Sequence, residues 1–241
     1  MSWCRTFRPI LENGLATALS LVVLSLSFAT TAKGATIFFG PTPYLSASDI
    51  PSGFYAGGTP TSLEDFEDQI LCCGITASGG GISSIVSNPR AIDSVDIDDG
   101  LIDGSGLAGE SWWFNPSAEG LTFTFTSRPT AAGLVWTDGR MDAAVTFEAF
   151  GPSMVSLGTI GPFTLGDDSN FGGTAEDRFF GVQDPGGVQA ITISSSSGAV
   201  EVDHVQFGVI PEPSSSVLLG LGIAGLAVLR KRSSCAPQAE G

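Results

Sequence analysis

Histidine is almost absent from this chain of 241 residues, and His204 is the single one. A metal centre built on several histidines is therefore excluded, and a serine hydrolase triad would have to use His204. The chain also has no Gly-x-Ser-x-Gly nucleophile turn. We predict an ordinary hydrogen-bonding role for His204 and no enzymatic activity. Hydrolysis of polysaccharide by a pair of carboxylates stays open, since acidic residues are abundant.

Cations are scarce as well. The chain has 10 Lys and Arg against 25 Asp and Glu, and between residues 33 and 210 the counts are five and 22, a net charge of −17. This charge argues against nucleic acid and anionic lipid as partners, because both require clusters of cations. It favours either a hard cation such as calcium or a solvated extracellular surface, and composition alone leaves both open.

The four cysteines are too few and too badly spaced for a disulfide framework. Cys4 and Cys235 lie near the two ends, in segments that we expect the mature protein to lose, and the adjacent Cys72 and Cys73 remain. A bond between neighbours closes a small ring and staples no distant segments, so a hydrophobic core must stabilise the fold. We predict a structural or incidental pair, with intermolecular or redox chemistry as the alternative.

The first 32 residues have the order of a secretory signal peptide. Arg5 and Arg8 precede an apolar stretch over about residues 15–28, and small residues at 30–34 suit cleavage by signal peptidase. We predict that this signal helix is removed on export. The mature protein would then begin near Lys33.

The last thirty residues contain three unlike parts in a fixed order. Pro211-Glu212-Pro213 is followed by an apolar run over residues 217–229 and then by a basic cluster of Arg230, Lys231 and Arg232. As a helix the run is about 20 Å long, short for a hydrocarbon core of about 30 Å, and the cations favour the cytoplasmic side. We predict a short transmembrane helix, with a buried helix of the folded domain as the alternative.

This order of parts resembles the PEP-CTERM sorting signal. The resemblance implies transient insertion of residues 209–232 in the inner membrane, recognition by an exosortase and cleavage near Pro211-Glu212-Pro213. Delivery to the cell surface or the extracellular matrix would follow. Residues 233–241 would form a cytoplasmic tail before cleavage.

The region between the two signals, residues 33–208, has the pattern of antiparallel strands. Apolar or alternating runs are separated by turn clusters such as Asp138-Gly139 and Asp184-Pro185, and no amphipathic helix of useful length occurs. We therefore predict an all-β fold, an antiparallel β-sandwich of jelly-roll type. Several runs, residues 201–208 among them, look like those of PEP-CTERM ectodomains, which implies a secreted domain without an assigned activity. The predicted strands cover residues 121–126, 132–136, 145–150, 155–160, 178–182, 188–193 and 200–209.

An acidic segment gives the first candidate metal site. Calcium prefers carboxylate oxygens, although no EF-hand spacing fits this segment. A calcium-binding loop and a solvated acidic turn both stay open. The five carboxylates lie within eleven residues, at Asp93, Asp96, Asp98, Asp99 and Asp103.

The last predicted strand gives a second candidate. Period-two alternation places Asp203 on the same face as Val205, so Asp203 would lie at the margin of a core face and need a compensating cation. Calcium or Arg178 would supply the positive charge. In carbohydrate-binding jelly rolls, acids on the last strand and near the first share a structural calcium, and by that analogy Glu67 or Asp68 is the partner of Asp203.

Trp112 and Trp113 suggest a surface for extracellular polysaccharide, because exposed indole rings stack on pyranose rings. Adjacent residues of a strand point to opposite faces, so at least one of the two rings is expected in the core. We therefore predict an exported surface or matrix protein with a structural or binding role. The alternative is a calcium-dependent carbohydrate-binding module.

Overall fold

Antiparallel strands make up most of the chain that the computed structural model describes, namely residues 34–55, 60–83, 93–97, 101–106, 109–115, 119–139, 143–166 and 176–210. Within these ranges no helix is long or apolar enough to cross a membrane. The predicted all-β class is confirmed, whereas the predicted signal helix and transmembrane helix lie outside the described residues. The strands are β1 (Ile37–Pro43), β2 (Ser62–Glu64), β3 (Ile75–Ala77), β4 (Gly81–Ser83), β5 (Ser94–Ile97), β6 (Leu101–Gly106), β7 (Ser111–Phe114), β8 (Leu121–Phe125), β9 (Ala131–Asp138), β10 (Ala144–Gly151), β11 (Val155–Thr164), β12 (Arg178–Gln183), β13 (Ala190–Ser195) and β14 (Val200–Gly208), with single 3-10 turns at Ala47–Asp49 and Pro152–Met154.

These strands form three sheets. A seven-stranded sheet has the order β1-β12-β9-β14-β7-β4, with β2 also paired to β14. A five-stranded sheet has the order β11-β10-β13-β8-β3, and β5 pairs with β6 by itself. The seven strands predicted from residue 121 onward correspond to β8–β14, so alternation located them within a few residues.

One apolar cluster joins the two larger sheets. The rings of Phe147 in β10 and Phe180 in β12 stack with centroids 5.7 Å apart, and those of Phe125 in β8 and Phe207 in β14 lie 4.9 Å apart. The cluster also contains the fully buried Trp136 of β9. The two sheets therefore pack face to face through a continuous hydrophobic core.

The other face of the seven-stranded sheet is covered too. On this face Phe179 packs with Tyr44, Phe54 and Tyr55 from the segment after β1, and with Val95 of β5. Because both faces of the sheet are covered, every residue of β14 is buried. The second face is where the acidic residues of β14 lie.

Cys72 and Cys73 form a disulfide with each other, in the turn after β2. The backbone N–H of Cys72 donates to the buried carboxylate of Glu64, and so does that of Phe66, at 2.9 Å. Burial raises the pKa of Glu64, although these two donors lower it. The cysteine pair is thus part of a turn organised around one buried carboxylate.

Candidate functional site

A bulge in the centre of β14 positions the site. The register of β14 against β9 shifts between Asp203 and Gln206, and His204 has a φ of +46°. Val202 and Val205, three positions apart, consequently both join the cluster between the sheets. The extra residue resets the period-two alternation. The prediction that Asp203 shares a face with Val205 is therefore wrong, and Asp203 lies buried against the opposite covering layer.

Asp203 is fully buried and accepts three hydrogen bonds. Its Oδ2 accepts from the Oγ of Ser94 at 2.8 Å and from the N–H of Val95 at 2.9 Å, and its Oδ1 accepts from the N–H of His204 at 2.6 Å. Burial raises the pKa of Asp203 to about 6, with His204 opposing the rise and Asp96 adding to it. One carboxylate thus fastens β5 to the face of the seven-stranded sheet.

His204 is also fully buried, between Asp96 and Tyr44. Its Nε2 lies 3.0 Å from Oδ2 of Asp96, and its Nδ1 lies 3.2 Å from the hydroxyl of Tyr44. Burial lowers the pKa of His204, but the negative charges of Asp203 and Asp96 outweigh burial, so the pKa is raised. The predicted hydrogen-bonding role of this histidine is confirmed.

Asp96, Asp203 and His204 form one compact group of potential metal ligands. One ligand atom from each lies within 4.8 Å of the other two, and all three residues are buried. An ion that binds its ligands at about 2.4 Å reaches atoms up to about 4.8 Å apart. The acidic segment and the last strand, which the sequence offers as separate candidates, therefore meet at one place.

Two further acids interact electrostatically with this group. Asp177, just before β12, is 1 % exposed; burial and then the charge of Asp203 raise its pKa to about 8, although Arg178 lowers it. Glu67, after β2, is half-buried, and burial, Asp203 and Asp96 raise its pKa to about 8 as well. The N–H of Glu110 donates to Glu67 and opposes this rise.

The structure places the predicted metal ligands in different positions relative to this group. Asp96 and Asp203 are brought together, and Glu67 lies within electrostatic range of both. Asp98 and Asp99 lie outside the described residues, and Asp103 lies in β6, where its side chain is not described. Their roles as ligands stay predictions.

Sequence reasoning missed Asp177 and Tyr44. Asp177 precedes a strand without any special spacing, and Tyr44 follows a Pro-containing strand. Their position at the site depends on a backbone contact, since the N–H of Tyr44 donates to the carbonyl of Asp177 at 3.1 Å. A contact between the ends of β1 and β12 leaves no local signal in the sequence.

The two tryptophans of β7 point in opposite directions, as predicted. Trp112 is half-buried, with its ring centroid 5.7 Å from that of Phe66, and its Nε1 donates to the carbonyl of Gly79 at 2.9 Å. Trp113 is 43 % exposed. Of this pair, Trp113 is therefore the ring that can stack on a ligand.

The predicted sorting residues lie beyond Ile210 and outside the described residues. A family model for the PEP-CTERM protein-sorting motif matches residues 209–232. The chain carries a PEP-CTERM sorting motif. This motif is the signal that an exosortase recognises, so the chain is targeted for export and membrane-associated sorting to the cell surface. No curated protein and no solved structure matches the chain. The predicted residues are Pro211, Glu212, Pro213, Arg230, Lys231 and Arg232.

Proposed function

We propose that this PEP-CTERM protein is an exosortase-processed component of the cell surface or extracellular matrix, with a structural or binding role. One observation carries the proposal. β14 ends at Gly208 within the seven-stranded sheet, and the sorting motif begins at the next residue. Cleavage near Pro211-Glu212-Pro213 would leave every described strand in the released part. That part would be a jelly-roll-like β-sandwich over residues 33–208, after signal peptidase has removed residues 1–32.

The contacts of residues 209 and 210 support this division. Val209 is 67 % exposed, whereas the N–H of Ile210 donates to Oγ1 of Thr130 at 2.6 Å. The chain is thus held to the folded part up to Ile210. The expected cleavage point lies directly beyond that contact, so the domain would reach the surface without a long stalk.

A non-catalytic role is favoured by the state of the single histidine. His204 is fully buried, and both of its ring nitrogens lie within hydrogen-bonding distance of protein side chains. A general base must reach the proton that it removes from a substrate. His204 does not meet that requirement without opening of the fold.

Mass spectrometry of the protein released from the cell surface tests the proposal. We expect an N-terminus near Lys33 and a C-terminus near Pro213. The matching variant replaces Arg230, Lys231 and Arg232 by Gln. It removes the basic cluster of the sorting motif and changes no described residue. It should keep the protein unprocessed in the membrane. An intact Gly241 on unaltered protein in a membrane fraction would contradict exosortase processing.

The exposed ring of Trp113 favours a second candidate, a calcium-dependent carbohydrate-binding module. Pull-down on extracellular polysaccharide should then retain the unaltered protein and lose Trp113→Ala and chelator-treated protein. Ile70→Ala is a suitable control, because Ile70 is another exposed apolar residue, 68 % accessible. Equal retention of both variants would remove this candidate. Release of sugars during the same incubation would instead show hydrolysis and contradict the non-catalytic role.

A further inference from the structure

The buried group around β14 contains more carboxyl groups than basic side chains. Asp96, Asp177 and Asp203 are each no more than 1 % exposed. His204 contacts Asp96, and Arg178 lowers the pKa of Asp177. Buried carboxylates are costly unless they are paired or coordinate a metal. A histidine that binds a metal is neutral, so of these two partners only Arg178 would stay cationic beside three carboxylates, which leaves room for a further positive charge.

Oxygen atoms without partners provide an independent observation. Oδ1 of Asp96 and both carboxylate oxygens of Asp177 have no hydrogen-bond donor in the described part of the protein. Buried carboxylate oxygens are usually bonded, so each orphaned oxygen requires an explanation such as a proton or an ion. The orphaned oxygens belong to residues beside Asp203 and His204, since Asp96 joins them in the ligand group and Asp177 interacts with Asp203 electrostatically.

We propose that Asp96, Asp203 and His204 bind a divalent cation and that Asp177 supplies a further carboxylate. The spacing of the first three fits one ion, as their ligand atoms lie within 4.8 Å of one another. Mn²⁺ or Zn²⁺ is the expected occupant, because the set combines carboxylate oxygens with an imidazole nitrogen, whereas calcium takes oxygen ligands. This inference does not depend on the proposed surface or matrix role.

The surrounding hydrogen bonds would orient the ligands. Ser94 and Val95 hold Oδ2 of Asp203, and Tyr44 contacts the Nδ1 of His204. Contacts of this kind fix ligand geometry around metal ions and sustain metal affinity. The ion would join β5, β14 and the start of β12, and so stabilise the layer that covers the second face of the seven-stranded sheet.

Metal analysis and thermal unfolding of the full-length protein, purified in detergent, test the inference. We expect about one equivalent of divalent metal, and a fall in Tm of about 5–10 °C after chelation, which added Mn²⁺ or Zn²⁺ reverses. Asp203→Asn and Asp96→Asn should lose both the metal and the chelator-induced shift. Absence of metal, with a Tm that neither the chelator nor added Ca²⁺, Mn²⁺ or Zn²⁺ changes, would overturn the proposal.

Asp184→Asn is the matched control. Asp184 is also buried, 2 % exposed, but it lies beyond the far end of β12 and accepts bonds from Oγ1 of Thr36 and the N–H of Gly186, both at 2.6 Å. This variant is expected to lower Tm and yet keep the chelator-induced shift. Loss of the metal in this variant to the same extent as in Asp203→Asn would overturn the assignment of the site.

Asp177→Asn keeps the test decisive if Asp203→Asn does not fold, because no described donor bonds the side chain of Asp177. The variant should fold and weaken the binding of Mn²⁺ or Zn²⁺ at least tenfold. Unchanged affinity would remove Asp177 from the site. His204→Gln should also lose the binding of Mn²⁺ or Zn²⁺. Unchanged affinity in that variant would remove His204 from the site.

Discussion

The two faces of the seven-stranded sheet are both buried, but they bury different chemistry. On the face toward the five-stranded sheet, Phe180 and Val202 pack among aromatic and aliphatic side chains. On the opposite face, Phe179 packs against the layer that covers Asp203 and His204. The comparison shows that the first face is stabilised mainly by apolar contact, whereas the second combines an apolar cluster with buried hydrogen bonds and carboxyl groups. We therefore expect only the second face to respond to ions and pH.

The largest expected effect is on the apolar face. Phe180 is fully buried, with its ring 5.7 Å from that of Phe147 and 6.3 Å from that of Phe163. Phe180→Ala should lower the free energy of unfolding by about 4 kcal/mol, because it removes the ring and leaves a cavity between the sheets. Chemical denaturation should show the same loss with and without a chelator. A loss that depends on the chelator would contradict the separation of the two faces.

The neighbouring residue provides the matched comparison. Phe179→Ala should cost slightly less, about 3 kcal/mol, in the same assay. Unlike Phe180→Ala, it should also weaken the effect of chelation. The ring of Phe179 stacks on that of Tyr44 at 6.3 Å, and Tyr44 contacts His204. If the two variants respond identically to a chelator, Tyr44 does not hold the site in place.

Asp203→Ala tests the polar face directly and should cost about 2–3 kcal/mol in metal-free protein. The substitution leaves the Ser94 hydroxyl and the N–H groups of Val95 and His204 without their acceptor. Buried donors without acceptors cost about 1–3 kcal/mol. Chemical denaturation in a chelator measures the loss. A change below about 0.5 kcal/mol, usual for surface substitutions, would show that this carboxylate does not stabilise the attachment of β5.

The smallest expected effect is a pH dependence. The folded protein binds a proton at Glu67 up to about pH 8, whereas the unfolded chain releases it near the ordinary pKa of 4.5. The unfolded state binds fewer protons in this window, so stability falls as pH rises from about 4.5 to 8. Glu67→Gln should flatten part of the decline in Tm of metal-free protein.

Glu148→Gln is the control for this measurement. Glu148 lies on β10 of the other sheet and accepts from Oγ of Ser156 at 2.6 Å. The substitution removes one acid far from the covered polar face, and the decline in Tm with pH should persist. A decline equally reduced in both variants would attribute the effect to overall charge instead of to Glu67.

Strand prediction succeeded where alternation was long and failed where strands were short. β8 alternates along Leu121–Phe125, with buried and half-buried residues in strict succession. In contrast, β2, β3 and β4 have three residues each, too few to show a period. β1 contains two prolines, which argue against a strand in sequence reasoning. The first half of the fold therefore needed the structure.

The amino-acid sequence by itself determined the strands of the second half, the strong negative charge and the sorting motif, because each depends on residues close together in the chain. Only the tertiary structure decided that Asp96 meets His204 across 108 residues and that Asp203 turns away from Val205. The physical reason is the bulge at His204. One extra residue in β14 reverses the face of every side chain before it relative to those after it, and the bulge becomes apparent only once β14 is paired with β9.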